Sequence, residues 1–279
     1  MKPLARHVLP VLVVLGLAAA GCGDAGAQRA TTTATAPTDA PTNATVSTGT
    51  AVSPPAPTVS PTGSTGASRP RDGLVAGRYQ PLWPFSNPDE VAAWRRAYRK
   101  DGRQAWHLDA RRTALAFTRD YLGFAEIDRV ARTVEQGAHA RVHVAYRGEE
   151  GPRPLVAAVV HLVRYGSGRD APWEVVGTDD TSLSLTRPAY GAAVRSPLTV
   201  GGRISGVDES IRVQVRRPGS PAPVGETCCV SAGGNNSPWS ARVSFAAPPG
   251  RTLTIVASTG GHLAAVERFA VTGVTLAMP

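Results

Sequence analysis

Lysine is almost missing from this 279-residue chain: Lys2 and Lys100 are the only two, so arginine carries the formal charge of +9. Arginine scattered among abundant alanine, glycine and proline is what biased codon usage writes. A nucleic-acid footprint clusters its basic residues and interleaves them with aromatics. The single short basic group here is Arg95-Arg96 with Arg99-Lys100. Nucleic acid is therefore not expected as a partner, and a mild attraction to anionic wall polymers or lipid headgroups is the more economical reading. Catalytic signatures are missing too. There is no Ser-centred nucleophile elbow, no Gly-rich phosphate loop, no HExxH spacing and no paired carboxylates in a clear motif. The chain reads as no enzyme, with no cofactor and no metal.

Aromatic and large aliphatic residues also avoid one stretch altogether: between Gly23 and Asp72 there is no Trp, Tyr, Phe, Leu or Ile. Thr, Ala, Pro, Ser and Gly dominate there. Such a segment buries too little apolar area to offset its ordering entropy, which predicts a disordered N-terminal tether over residues 22–76. As a flexible coil it reaches on the order of 40 Å on average.

What precedes the tether is an address. Lys2 and Arg6 form a basic lead, Val8 to Ala20 an apolar run, and Ala18-Ala19-Ala20-Gly21 a small-residue end directly before Cys22. This is the charged, apolar and small-residue layout of an export signal. With Cys22 at the cleavage point it resembles a bacterial lipoprotein signal, although Ala19 stands where that family prefers leucine. The apolar run is shorter than the roughly 20 residues that span a bilayer. The resemblance implies a signal peptide over residues 1–21, lipidation at Cys22, and a place on the extracytoplasmic face of the cell membrane. Its removal takes away Lys2 and Arg6 and no acid.

The remainder reads as two domains of ordinary size, residues 77–187 and 188–279. The first opens with helices. Ser86-Asn87-Pro88-Asp89-Glu90 supplies a cap, a first-turn proline and two acids, and Val91, Trp94 and Tyr98 then share one face up to Gly102. A second helix is expected from Asp109 as N-cap to Gly123 as C-cap, with Ala114, Phe117, Thr118 and Tyr121 inside. Strands follow. Ala140, Val142, Val144 and Tyr146 alternate with polar neighbours, Gly148 to Pro154 turns the chain, and Leu155 to Tyr165 and Trp173 to Val176 complete a meander. Helices followed by antiparallel strands predict an α+β domain with helices on one sheet face. The element order resembles the nuclear-transport-factor-like cone fold, whose members hold a pocket between helix and sheet. A filled interior is favoured here, because aromatic stripes at helical spacing pack cores.

Residues 188–279 are strand and turn throughout. Pro197 to Gly206, Ser210 to Arg216, Trp239 to Phe245, Arg251 to Ser258 and Val266 to Leu276 alternate apolar with polar, punctuated by Gly or Pro. Short strands so spaced predict an all-β immunoglobulin-like sandwich. The phrase Ser196-Pro197-Leu198-Thr199-Val200-Gly201-Gly202 resembles the start of the immunoglobulin-like domain that accompanies GerMN domains in bacterial spore-germination and envelope lipoproteins. Ile211 to Val215, Pro238-Trp239-Ser240, Gly260-Gly261 and Val271 to Val274 agree in order. No GerMN domain precedes it, and Cys228-Cys229 replaces ordinary strand residues. The resemblance implies an adhesion or scaffolding module without catalytic residues.

The candidate chemical groups each have a structural reading. Once Cys22 is acylated, Cys228 and Cys229 bond to each other, to another molecule, or not at all. Neighbours on a regular strand point apart, so a vicinal disulfide is expected only in a turn. His107 next to Asp109 suggests an acid/base pair, but Asp109 is taken as a cap. His139, His143 and His161 fall on or near adjacent strands, with His143 and His161 expected to face each other. Asp179-Asp180, Glu149-Glu150 and Asp208-Glu209 read as turn acids. The expected function is a non-catalytic envelope lipoprotein whose sandwich binds a cell-wall polymer or protein. The alternative is a carrier of a small apolar ligand under the helices, with His107, His143 or His161 as polar handles. An unrecognised hydrolase stands behind both.

Overall fold

The computed structural model describes residues 73–148 and 151–278, all within one compact unit. The signal segment, Cys22, nearly all of the tether and Glu149-Glu150 lie outside the described residues. The described fold is mostly β, built on two sheets rich in antiparallel pairs.

Helix α1 (Pro88–Asp101) starts and stops where its caps dictate. Asn87 Oδ1 accepts from Glu90 N at 3.0 Å, and Glu90 reaches back to the Ser86 amide at 2.6 Å. That reciprocal arrangement satisfies donors the helix leaves open. Gly102, at φ 71°, closes the last turn onto Tyr98 O. Helix α2 (Ala110–Ala116) is capped by Asp109, whose Oδ1 accepts from the amides of Arg111 and Arg112. It does not run to Gly123 as one helix. From Phe117 to Tyr121 the chain widens into a π turn, where the Thr118 hydroxyl donates to Ala114 O at 2.8 Å. A side-chain hydroxyl competing for a helix carbonyl favours such local distortion.

Four antiparallel strands form the first sheet in chain order: β1 (Arg129–Gln136), β2 (His139–Tyr146), β3 (Leu155–Arg164) and β4 (Trp173–Asp179). Val142, Val144, Val160 and Leu162 point to one face and meet Ala110, Ala114, Phe117 and Tyr121. All eight are buried, so side chains fill the space between α2 and this sheet. The other face carries His139, Arg141 and His143.

The second sheet runs β5-β9-β8-β6-β7, with β5 (Ala193–Val194), β6 (Leu198–Arg216), β7 (Gly225–Val243), β8 (Thr252–Thr259) and β9 (Arg268–Leu276). Among the described residues only β5 and β9 pair in parallel. Two segments expected as separate short strands, Pro197 to Gly206 and Ser210 to Arg216, are one long strand. Ile204 and Ile211 stand an odd number of positions apart, so a regular strand would place them on opposite faces. Register shifts against β7 between Ile204 and Glu209 absorb the odd count, and both side chains enter one core with Val200, Val213, Trp239 and Val243. Asp208, at φ 55°, sits in that bulge. Glu209 is therefore no turn acid: it is buried and ion-paired with Arg268.

The two sheets share one core. Val256, Phe269 and Val271 of the second sheet pack with Phe117 and Trp173 of the first. The Thr178 hydroxyl accepts from Val271 N at 2.8 Å, tying β4 to β9.

Gly202 marks another tight crossing. A Cβ there would lie 2.0 Å from Ser184 O and 2.7 Å from Ser184 C. Backbone, not a flexible side chain, blocks it. Gly202→Ala should cost about 2 kcal/mol of stability, measured by urea unfolding. An unchanged midpoint would show that the crossing yields freely.

Candidate ligand-binding groove

The face of the first sheet turned away from α2 holds a groove of about 600 Å³. Its floor follows from strand register. Arg132 pairs with His143, Val134 with Arg141, and Gln136 with His139, so β1 and β2 present these residues side by side. Arg141 in turn stands opposite His161 of β3, and His161 opposite Gly177 of β4. Alternation sends all of them to one face.

A strap closes the groove on one side. Val75 and Tyr79 pair across a turn in which Ala76 and Gly77 take positive φ, and Leu82 and Trp83 then run along Val175 of β4. Tyr79 is thereby set edge-on to both His139 and His161, at ring distances of 5.8 and 5.3 Å. The Arg78 guanidinium lies 4.6 Å over the Tyr79 ring. Tyr190 pins the strap: its hydroxyl accepts from Gln80 N at 2.8 Å. Gly177 of β4, beside the Tyr190 ring, takes φ 151°, a backbone conformation that residues with a side chain rarely adopt.

Within the groove His139 Nδ1 and His161 Nε2 are 3.1 Å apart, a hydrogen bond that one ring donates and the other accepts. The facing histidines are thus His139 and His161, lying diagonally across β2 and β3. His143 stands opposite Val159, not His161. Asp179 closes β4 and is no turn acid, because its Oδ2 accepts from Arg141 Nε at 2.5 Å. Burial pushes the His161 imidazole down to about 3, helped by Arg141, His139 and Arg78. His143 is lowered as well, first by burial and then by Arg132, with Asp179 opposing. A histidine amid guanidinium groups resists taking a proton. Among the described residues neither Arg78 nor Arg132 pairs with an acid. The same residues hold no three His, Cys, Asp or Glu side chains grouped as a metal set.

His107 is elsewhere. It is buried among the rings of Phe85, Trp94 and Trp106, and burial pushes its imidazole down to about 4. No acid reaches it, since Asp109 serves as the α2 cap. Cys228 and Cys229 are bonded to each other across a cis peptide and lie exposed. They sit within β7 and not in a turn. The register shift between Ile211 and Val213 places the pair at a bulge, where strand alternation no longer applies. Neither cysteine lines the groove.

Sequence reasoning missed Arg78, Tyr79 and Arg132. The first two lie on a strap without periodicity, and Arg132 lies on β1, a mostly exposed strand with weak alternation. No protein-family model matches the chain, and neither a curated protein nor a solved structure matches it significantly.

Proposed function

We propose that this chain is a non-catalytic lipoprotein, anchored through acylated Cys22 on the extracytoplasmic face of the cell membrane, that binds a cell-wall polymer or envelope protein. In this reading the tether of residues 22–76 lifts the folded unit off the bilayer. Residues 188–279 act as an immunoglobulin-like scaffold of the type that accompanies GerMN domains, and the α+β half carries recognition. The observation that supports it best is the groove of about 600 Å³, lined by three arginines and two histidines on an open sheet face. Chemistry is disfavoured there because Arg141 and Asp179 neutralise each other and, among the described residues that line the groove, there is no Ser, Thr, Cys or Lys to act as a nucleophile. Among the described residues no helix is long and apolar enough to cross a membrane. The apolar-carrier alternative has no such support, since side chains occupy the space under α2.

Two measurements test this reading. Metabolic palmitate labelling should mark the wild-type protein and leave Cys22→Ala unmarked. Full-length protein in detergent should co-sediment with purified cell walls. Label on both proteins, or wild type left in the supernatant, overturns the proposal.

A further inference from the structure

Resting on that reading, we infer that the groove selects oxyanions of tetrahedral geometry, the phosphodiester groups of a repeating chain, with Arg78 and Arg132 as the two anchoring cations and His143 as a neighbouring donor.

The first argument is charge. Arg78, Arg132 and Arg141 line the groove against Asp179 and Asp180. Asp179 is held by Arg141, which leaves two guanidinium groups facing one acid. Both are exposed and neither has a carboxylate partner, so together they attract an anion and repel a cation. The second is donor inventory. Arg78, Arg132 and Gln136 supply N–H donors, and the histidines and Tyr79 add more. The acceptors that a neutral sugar also needs are reduced to Asp180 and the Gln136 carbonyl, because Asp179 is consumed and the two strap-side histidines bond each other.

The third is geometry. Arg132 and His143 are cross-strand partners, so their Cβ atoms stand about 5 Å apart and rise from the floor together. Arg78 comes from the strap, over the Tyr79 ring, which stands edge-on to His139 and His161 on β2 and β3. At the β1 end, the donors of Arg132 and His143 approach from two different strands. A carboxylate offers its oxygens in one plane, whereas a phosphoryl group offers them in several directions. Arg132 on β1 and the strap over β2 and β3 are separated by roughly 7 to 10 Å, from a strand spacing of about 4.8 Å. One small anion cannot serve both ends. A chain with repeated phosphodiesters can.

The same chemistry is presented by a soluble wall polymer and by an anionic lipid headgroup, and the test separates them. Full-length Cys22→Ala protein, which carries no acyl anchor and is used without detergent, is titrated with synthetic oligo(glycerol phosphate), with dextran of equal length, and with phosphatidylglycerol vesicles. The oligophosphate should bind and dextran should not. Arg132→Ala and Arg78→Ala should each weaken oligophosphate binding about tenfold, while Arg217→Ala, outside the groove, changes nothing. Binding to vesicles with none to the oligomer, weakened by Arg78→Ala and Arg132→Ala, overturns the repeating chain and assigns the phosphodiester to a lipid headgroup. Equal binding of dextran, or variants that bind like wild type, overturns the inference. Cell walls that capture the protein without any phosphodiester binding overturn it too, yet leave the recognition reading standing. A protein that fails to sediment with walls at all removes that reading itself.

Discussion

Arg216→Leu should destabilise the protein by on the order of 3 kcal/mol, the largest loss expected from a single charged residue in this fold. Arg216 belongs to β6, yet its guanidinium serves the other half of the molecule. Nη1 donates to Tyr121 O at 2.6 Å and Nη2 to Leu122 O at 3.2 Å, while Nε is held by Gln214. Those carbonyls close the π turn that follows α2, where no further helix supplies amide partners. The residue is 5% exposed, and among the described residues no carboxylate pairs with it. Leucine preserves bulk against Tyr121 but strands two carbonyls at the junction of the sheets. Lysine has one nitrogen and should recover no more than half. Urea midpoints for the three proteins decide the matter. A loss below 1 kcal/mol for leucine would mean that water replaces the guanidinium without penalty.

Acid should weaken the fold through His107. Its imidazole is lowered to about 4 in the folded protein, against 6.5 when unfolded. Above pH 6.5 both states hold it neutral and its contribution is complete. Below that the unfolded chain binds a proton first, and stability falls until the pH passes the folded value near 4, by on the order of 3 kcal/mol. His161, lowered to about 3, acts in the same direction. Glu174 opposes them. Its carboxyl is fully buried, burial pushes it well above the ordinary carboxylate range, and one oxygen takes the Phe85 amide. A raised acid contributes most at low pH and loses that contribution as pH rises. His107→Phe suits a site lined by Phe85, Trp94 and Trp106, where Nδ1 has no partner. Unfolding free energies at pH 7 and pH 4 should show the variant gaining on wild type as pH falls. Parallel pH dependence in the two proteins would deny His107 this role.

How far the fold is legible in advance depends on whether the information is local. The caps Asn87, Asp109 and Gly102 act within a few residues of their own helix, and α1 therefore stands where its sequence places it. Strand β1 was invisible because a mostly exposed edge strand has little reason to alternate. The continuity of β6 was hidden by its bulge: Asp208-Glu209 has turn chemistry, and only the burial of Glu209 against Arg268 shows that pairing continues around it. The groove was the least legible part. Its histidines were visible on their strands, but the His139–His161 contact depends on a diagonal of the register that no periodicity specifies. Arg78 enters because Tyr190, Thr252 and Thr275, each over a hundred positions away, hold Gln80.

The wall that carries Arg78 and Tyr79 is also the first part of the folded unit that the chain reaches after Gly73. Tension applied at Gly73 is therefore delivered first to the hydrogen bonds of Val75 and Tyr79, and then to those that tie Gln80 to Tyr190, Thr252 of β8 and Thr275 of β9. Those few bonds would yield in sequence, like a zipper, whereas the sheets beyond resist in parallel. A pull on Gly73 would thus peel away the wall of the groove before either sheet gives way.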